Sequence, residues 1–538
     1  MLYLRVNKSF VRYIMNLQNF AMGLEFGSTR IKAVLLDESR NVAASGSHTW
    51  ENRYVDGIWT YTMEDIIGGL QDCYSKMRES FEGKYGVKLD TIGAIGISGM
   101  MHGYLAFDKD NKLLAPFRTW RNTITQTSSE TLTKAFNAAI PQRWSIAHLY
   151  KDILEDVSYV KDIAHFTTLA GFIHWQLTGN KVLGIGEASG MFPIDSAKCD
   201  YRGDLLDIFA DLIKDKKYPW TLKEILPSVL NAGECAGYLT EEGAKLLDVT
   251  GTLKAGVKFA PPEGDAGTGM TATNSVRVGT GNVSAGTSVF AMVVTEKTPK
   301  LHKEINVVTT PDGAPVAMVH CSNCTSDFNA WAGLFTEFAH MVGADISEGK
   351  VMDLFFAKAL EAKPDCDGIV AYNYYSGEAN VGLTKGVPVL MRKPGADFSF
   401  ANFARTHLYT CLSTLKMGLD ILIREENIKI DRICGHGGYF KAPITGPKFL
   451  SAAVGAPVIT MESSGEGGPY GMALLAAYML DKAEGETLPD YLDNKIFASC
   501  KTVETMADKD DIDGFNAYLA SFKACLPVEK AAIDAFAE

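Results

Sequence analysis

Residues Gly23–Asp37 read GLEFGSTRIKAVLLD: an apolar strand, a small polar turn and a second apolar strand. Glu25 interrupts the first strand just ahead of Gly27, Ser28 and Thr29. A buried carboxylate is costly unless something pairs with it. Small residues directly after it let backbone approach a ligand closely, and a turn rich in N–H and hydroxyl groups suits phosphate oxygens. A second turn of this kind, SAGTSVF from Ser284, lies in the other half of the chain. One such turn is ordinary hairpin chemistry; two on opposite halves could clamp one phosphate chain.

Working outward, Met22 to Gly46 has the pattern of a hairpin of three strands. A helix is expected from Met63 to about Phe81, then a buried strand TIGAIGIS (Thr91–Ser98) running into GMMHG. A buried apolar run ending in glycine suits a parallel strand with a functional loop at its carboxyl end. Ser145 to Leu177 has helical character, closing on Gly179. Pro261 and Pro262 mark a hinge, after which the opening pattern repeats: EGDAGTG from Glu263, then SVRVGTGNVSAGTSVFAMVV from Ser275. A long helix over Asn402–Glu426 leads into DRICGHGG; APVITM precedes SSGEGGPYGMALLAAYML; the remainder, from about Asp481, reads as mainly helical. This weak internal duplication with alternating strands and helices predicts an α/β protein of two units, 22–262 and 263–538, behind an extension at 1–21. Met15 and Met22 are alternative starts.

The chain has 538 residues, 46% apolar and 22% charged, with formal net charge −12. The length allows more than one core at about 150 residues per domain. The acidic balance argues against nucleic acid, which calls for a basic excess, and against an anionic membrane surface. No apolar run approaches the roughly 18 residues of a membrane span, and residues 1–21 lack the layout of a secretory signal. The ten cysteines are scattered. Only Cys321 and Cys324 lie close, without the second pair a zinc site needs, so reduced thiols and a cytoplasmic location are expected.

These motifs together resemble the FGGY carbohydrate kinases, within the actin-like, sugar kinase and Hsp70 ATPase superfamily, over roughly Met22–Leu480. The resemblance implies two ribonuclease H-like (actin-like ATPase) domains flanking a catalytic cleft. Glu25–Lys32 resembles the first phosphate motif, implying ATP phosphate contacts at Gly27, Ser28, Thr29, Arg30 and Lys32, with Glu25 holding Mg²⁺. The family usually has Asp there. The GTS turn resembles the second phosphate motif, with Gly286, Thr287 and Ser288. GHGG at Gly435–Gly438 and the glycine segment from Gly465 resemble the adenosine-binding region, implying Gly437, Gly438 and Gly467; GHGGYFKAP is about two residues longer than the family's form. GDAGTG resembles the loop of the catalytic base, implying Asp265. A sugar hydroxyl is a poor nucleophile until a base takes its proton.

For the acceptor, MMHG resembles the xylulokinase QMHG loop, with Met101 and His102 matching and Met100 in place of Gln. WRNTI resembles WNDGR, with Trp120 kept and Asn122 for Asp. DGIWTYT lacks the acid of its counterpart. The departures gather on the sugar side. Each residue also has a plain alternative: Glu25 in a structural network, Asp265 as a helix cap, His102 as a core histidine, the late glycines as strand-to-helix turns. The implied activity is ATP-dependent phosphorylation of a ketose such as xylulose or a related sugar, with a small-molecule partner, no nucleic acid or membrane, and a homodimer open. A non-catalytic sugar sensor and an actin-like ATPase are the rival readings.

Overall fold

The computed structural model describes residues 15–461 and 467–536, and it builds the chain around two seven-stranded sheets. The first contains β1 (Ala21–Phe26), β2 (Arg30–Leu36), β3 (Val42–Thr49), β4 (Ala94–Gly99), β5 (Gly237–Tyr238), β6 (Lys258–Phe259) and β7 (Glu263–Gly264). Its order is β5-β6-β4-β1-β2-β3, with β7 also on β4. The second contains β8 (Thr280–Ala285), β9 (Val289–Val294), β10 (Asn306–Thr309), β11 (Pro315–Cys321), β12 (Arg432–His436), β13 (Val458–Met461) and β14 (Thr502–Thr505), in the order β10-β11-β9-β8-β12-β13-β14. In each, the first strand pairs antiparallel with the second and parallel with a later one: β1 with β2 and β4, β8 with β9 and β12. The duplication read in the sequence is therefore a repeated sheet.

Helices cover both sheets. Helix α1 (Met63–Tyr85) starts at a Thr62/Asp65 capping box and stops at left-handed Gly86. Its apolar face (Ile66, Leu70, Tyr74, Met77, Phe81) is buried on the first sheet. The approach is close: a Cβ on Gly46 would lie 2.4 Å from the Cys73 carbonyl oxygen. Helix α2 spans Ser145–Leu154 and α3 Leu169–Thr178, separated by a short strand at His165–Thr167. The continuous helical stretch expected there is thus broken. Helix α4 (Asp265–Ala272) follows β7, α5 (Phe400–Asp420) ends in a π turn at Ile421–Glu425, α6 spans Gly468–Asp481 and α7 Lys509–Ala535.

One expectation about the layout is corrected. The change of unit expected after Pro262 falls inside the first sheet, because β7 pairs in parallel register with β4 (Glu263 opposite Ser98); the second sheet starts only at Thr280. The C-terminal segment is mainly helical, with Thr502–Thr505 adding an antiparallel edge strand to β13. Helix α6 lies tight on the first sheet: a Cβ on Gly23 would sit 2.0 Å from the Pro469 carbonyl, and one on Gly471 1.9 Å from that of Thr268. Residues 1–14 of the expected extension lie outside the described residues, as do Gly465 and Glu466 of the late glycine segment. Among the described residues no helix is long and apolar enough to cross a membrane, and every cysteine is a free thiol.

Candidate active site

A cavity of about 760 Å³ lies between the sheets. A larger depression, about 1150 Å³, lies beside it around Pro193–Lys198 and Thr295–Leu301 but contains neither Asp265 nor either turn. The smaller cavity brings together Glu25, Ser28, Met101, His102, Trp120, Asn122, Asp265, Ser288 and Gly467. Two loops supply its floor, each leaving the carboxyl end of a parallel strand: Met101–His102 after β4 and Asp265 after β7. That is where open α/β sheets place ligands.

Asp265 is the first residue of α4, at the positive end of the helix. Its Oδ1 accepts the Met101 N–H at 3.1 Å, so the two loops lock together. The side chain is exposed to the cavity, whose walls surround it. Burial raises its carboxyl above the usual range, and the Met101 amide opposes that shift. Space beneath it is scarce: a Cβ on Gly264 would lie 2.2 Å from Met101 Cγ and 2.4 Å from Glu187 Oε2. Glu187 is fully buried, and burial lifts its carboxyl well above the ordinary value, with Asp265 and Glu263 adding repulsion against the opposing Thr168 hydroxyl. Glu263 accepts the N–H groups of Gly186 and Glu187 and is still pushed up to about 8 by burial.

Glu25 stands near the end of β1, opposite Lys32 across the hairpin and beside Ser98 on β4. Its Oε1 lies so close to Gly468 that a Cβ there would come within 2.0 Å; glycine at the start of α6 makes room for the acid. Burial and the Asp265 charge raise Glu25 to about 7, with Lys32 opposing. It enters no hydrogen bond or ion pair among the described residues.

His102 sits at φ +69°, a backbone region that favours glycine. Its Nδ1 lies 3.0 Å from the Gly190 carbonyl. A carbonyl only accepts, so Nδ1 carries the proton and Nε2 is left as an acceptor. Burial and the nearby Arg143 hold His102 down at about 3, and its ring stacks on Trp144 at 6.1 Å. Trp120 donates from Nε1 to Ser28 Oγ at 3.0 Å. Trp50 and Tyr61 hold the same turn through the carbonyls of Gly27 and Ser28.

Other expected residues are held by neighbouring groups. Asn122 lines the cavity, but its Oδ1 accepts the Trp59 N–H and its Nδ2 donates to the Trp59 and Thr119 carbonyls. The amide is committed, so Asn122 braces the wall and is not a free sugar contact, which corrects the expectation. Met100 is packed in the core. Gly27 donates to the Arg30 carbonyl, and Thr29 and Arg30 are exposed at the turn. In the second turn the Gly286 and Thr287 carbonyls accept Thr325 and Cys324 N–H groups. Gly437, at φ +98°, packs against Ala285: a Cβ there would lie 2.5 Å from its carbonyl oxygen. Gly438 faces open space. Cavity residues outside the motifs include Gln142, Arg143, Met318 and His320. The one signal for the first two was the polar pair in AAIPQRWSIAHL.

The fold and cleft define a two-domain α/β protein of the actin-like ATPase type with an acid at the floor of its cleft. The N-terminal domain model of the FGGY family of carbohydrate kinases matches residues 20–258 and the C-terminal domain model matches 281–480; the chain belongs to this family. It is 22% identical over 478 residues to a xylulose kinase of Haemophilus influenzae, spanning 83% of this chain and 91% of that one. Its fold resembles xylulose kinase from Rhodospirillum rubrum (TM-score 0.76, 17% identity, 96% and 99% of the two chains). It equally resembles gluconate kinase from Lactobacillus acidophilus (TM-score 0.74, 17% identity, 95% and 98%).

Proposed function

We propose that the protein transfers the γ-phosphoryl group of ATP to a hydroxyl of a ketose such as xylulose or a related sugar. The observation that carries this reading is Asp265, fixed by Met101 N–H at the cavity floor beside the His102 loop. Asp265 takes the proton of the acceptor hydroxyl as its oxygen bonds to the γ-phosphorus. The bond from that phosphorus to the β,γ-bridging oxygen breaks, and ADP leaves. Phosphoryl transfer otherwise rests on positioning and charge neutralisation. Ser28 and Ser288, one from each turn, face the same cavity and offer hydroxyls to the phosphate chain from opposite sides. Gly27, Thr29, Arg30, Lys32, Gly286 and Thr287 shape and charge the two turns behind them, and Gly437, Gly438 and Gly467 border the nucleotide side. Met101, His102 and Trp120 form the sugar side, with His102 Nε2 as acceptor for a hydroxyl.

Glu25 fits Mg²⁺. It is an unpaired carboxylate in the cavity, and among the described residues no group of three or more His, Cys, Asp or Glu forms a protein cage. Magnesium takes one or two carboxylates and fills its other positions with water and phosphate oxygens. When bound it neutralises phosphate charge.

The test is ATP-dependent phosphorylation across ketoses, aldoses, polyols and sugar acids, in wild type and Asp265→Ala. Transfer to an acceptor is expected, with kcat lowered about 10²–10⁴-fold in the variant, the size of general-base catalysis. Acceptor binding without transfer would favour a sensor, and acceptor-independent hydrolysis that survives the substitution would favour a switch-type ATPase.

A further inference from the structure

Arginine is a costly residue to enclose, and this chain otherwise satisfies its buried arginines with carboxylates. Arg118 pairs with Asp152 at 2.9 Å and Arg405 with Asp511 at 3.0 Å, all four side chains nearly inaccessible. Arg143, which is half-buried, has no such partner. It lines the cavity between Gln142 and Trp144, and among the described residues no carboxylate comes within 4.0 Å of it. Its one polar contact is weak, from Nη2 to Met318 Sδ at 3.8 Å. Enclosure pulls the guanidinium down to about 10 with no neighbouring acid to offset it. At neutral pH it remains charged. Its nearest titratable neighbours are His102 and His320, which its charge and burial hold at about 3 and about 4. They are neutral and bring no counter-charge. Gln142 adds a buried side-chain oxygen with no partner.

The two acids of the cavity do not supply the missing charge. The Asp265 charge raises Glu25, and Arg143 is not among the groups that shift either acid. The cavity is therefore polarised, with acids at the floor and two guanidinium groups without an acid partner on its wall: Arg121, exposed and stacked over Trp59 at 4.1 Å, and Arg143 beyond His102.

Resting on the kinase reading above, we propose that Arg143 receives a carboxylate of the acceptor, which is a sugar acid: a polyhydroxy chain with its carboxylate at the end remote from the hydroxyl presented to Asp265. A guanidinium matches a carboxylate with two parallel N–H···O bonds. A carboxylate adds one negative charge to a cavity that already holds Glu25 and Asp265, where a phosphate dianion would add two. His102 Nε2 remains free to read a hydroxyl between the two ends, with Trp120 beside it as an apolar wall.

The experiment is a matched panel with the full-length chain: aldonates and uronates of five and six carbons, the alditols and ketoses of equal length, and the corresponding sugar phosphates. Binding is read by calorimetry, transfer by ADP release, and both are repeated in Arg143→Gln and Arg143→Lys, with Tm recorded for each. The expected result is a sugar acid favoured over its neutral counterpart by at least about 100-fold in kcat/KM, since charged pairs in enclosed sites discriminate strongly. Arg143→Gln collapses that ratio toward one, mainly through KM and Kd of the acid, and Arg143→Lys keeps part of it. A neutral sugar preferred in wild type, with the preference unmoved by Arg143→Gln, overturns the proposal. So does a sugar phosphate as best acceptor, or a rise in the KM of ATP that is equal for every acceptor. Arg143-dependent binding of a sugar acid without transfer would uphold this assignment and sink the kinase reading, so the two fail separately.

Discussion

The two phosphate-type turns are built on the same frame and carry opposite chemistry. Each joins the first two antiparallel strands of its sheet, and each first strand has a parallel neighbour on its other side. The residue two before the turn glycine is Glu25 in the first sheet and Ser284 in the second. Its antiparallel partner is Lys32 in one and Phe290 in the other; its parallel partner is Ser98 in one and His436 in the other. The second turn therefore has no acid of its own, because Asp265 belongs to the first sheet's β7–α4 corner. Duplication supplied two anion-friendly turns, and divergence left charge on one side and neutral surface on the other. A cleft that moves a phosphoryl group needs both: ionised groups where charge shifts, and apolar surface where a nucleoside rests.

The largest effect that would break this contrast comes from neutralising the charged side. Glu25→Gln is expected to lower kcat by about 10²-fold, the size of one lost contact to developing charge. The equivalent Ser284→Ala should cost no more than about fivefold, the worth of a single neutral hydrogen bond. Steady-state kinetics of the pair decide it, and equal losses would mean that the two turns share one role.

A smaller effect separates packing from ligand contact among the late glycines. Gly437→Ala places a Cβ against the Ala285 carbonyl at positive φ and should cost about 1–3 kcal/mol, the range for a strained backbone position. Gly438→Ala meets nothing and should stay within about 0.5 kcal/mol. Thermal melts measure both. A nucleotide Kd that weakens in Gly438→Ala while Tm holds would place Gly438 against the ligand.

What the sequence made legible is what local pattern encodes. The strands of both hairpins, helix α1, the buried strand before MMHG and the repeat of the opening all follow from residue pattern and glycine position. What stayed hidden depends on distant partners. Nothing in SSGEGGPYGM announces that α6 lies on the first sheet with Gly468 against Glu25. EGDAGTG follows two prolines, yet Glu263 pairs beside Ser98 and keeps Asp265 with the first half. Asn122 has the right chemistry for a hydroxyl, but its amide is consumed by Trp59 and Thr119. Arg143 is the reverse case. A Gln-Arg pair before a helix is ordinary in sequence, and only the fold leaves its charge without a partner.

The smallest expected effect tests the neutral side through pH. Burial holds His436 at about 4, below the ordinary histidine value of about 6.5. The folded state thus binds this proton less readily than the unfolded chain. Its contribution to stability is complete above about pH 6.5 and is lost as pH falls from there toward 4. The ring edge is open to the cavity, which keeps the loss to about 1 kcal/mol at pH 5. His436→Asn should therefore lose less Tm than wild type between pH 7 and pH 5. His102, His174 and His320 are also depressed by burial, so the wild-type decline is only partly relieved by one substitution. An acid decline identical in His436→Asn and wild type would mean that His436 is free to protonate in the folded chain. The second turn would then face a cation and not a neutral ring, and the contrast between the two halves would rest on Glu25 alone.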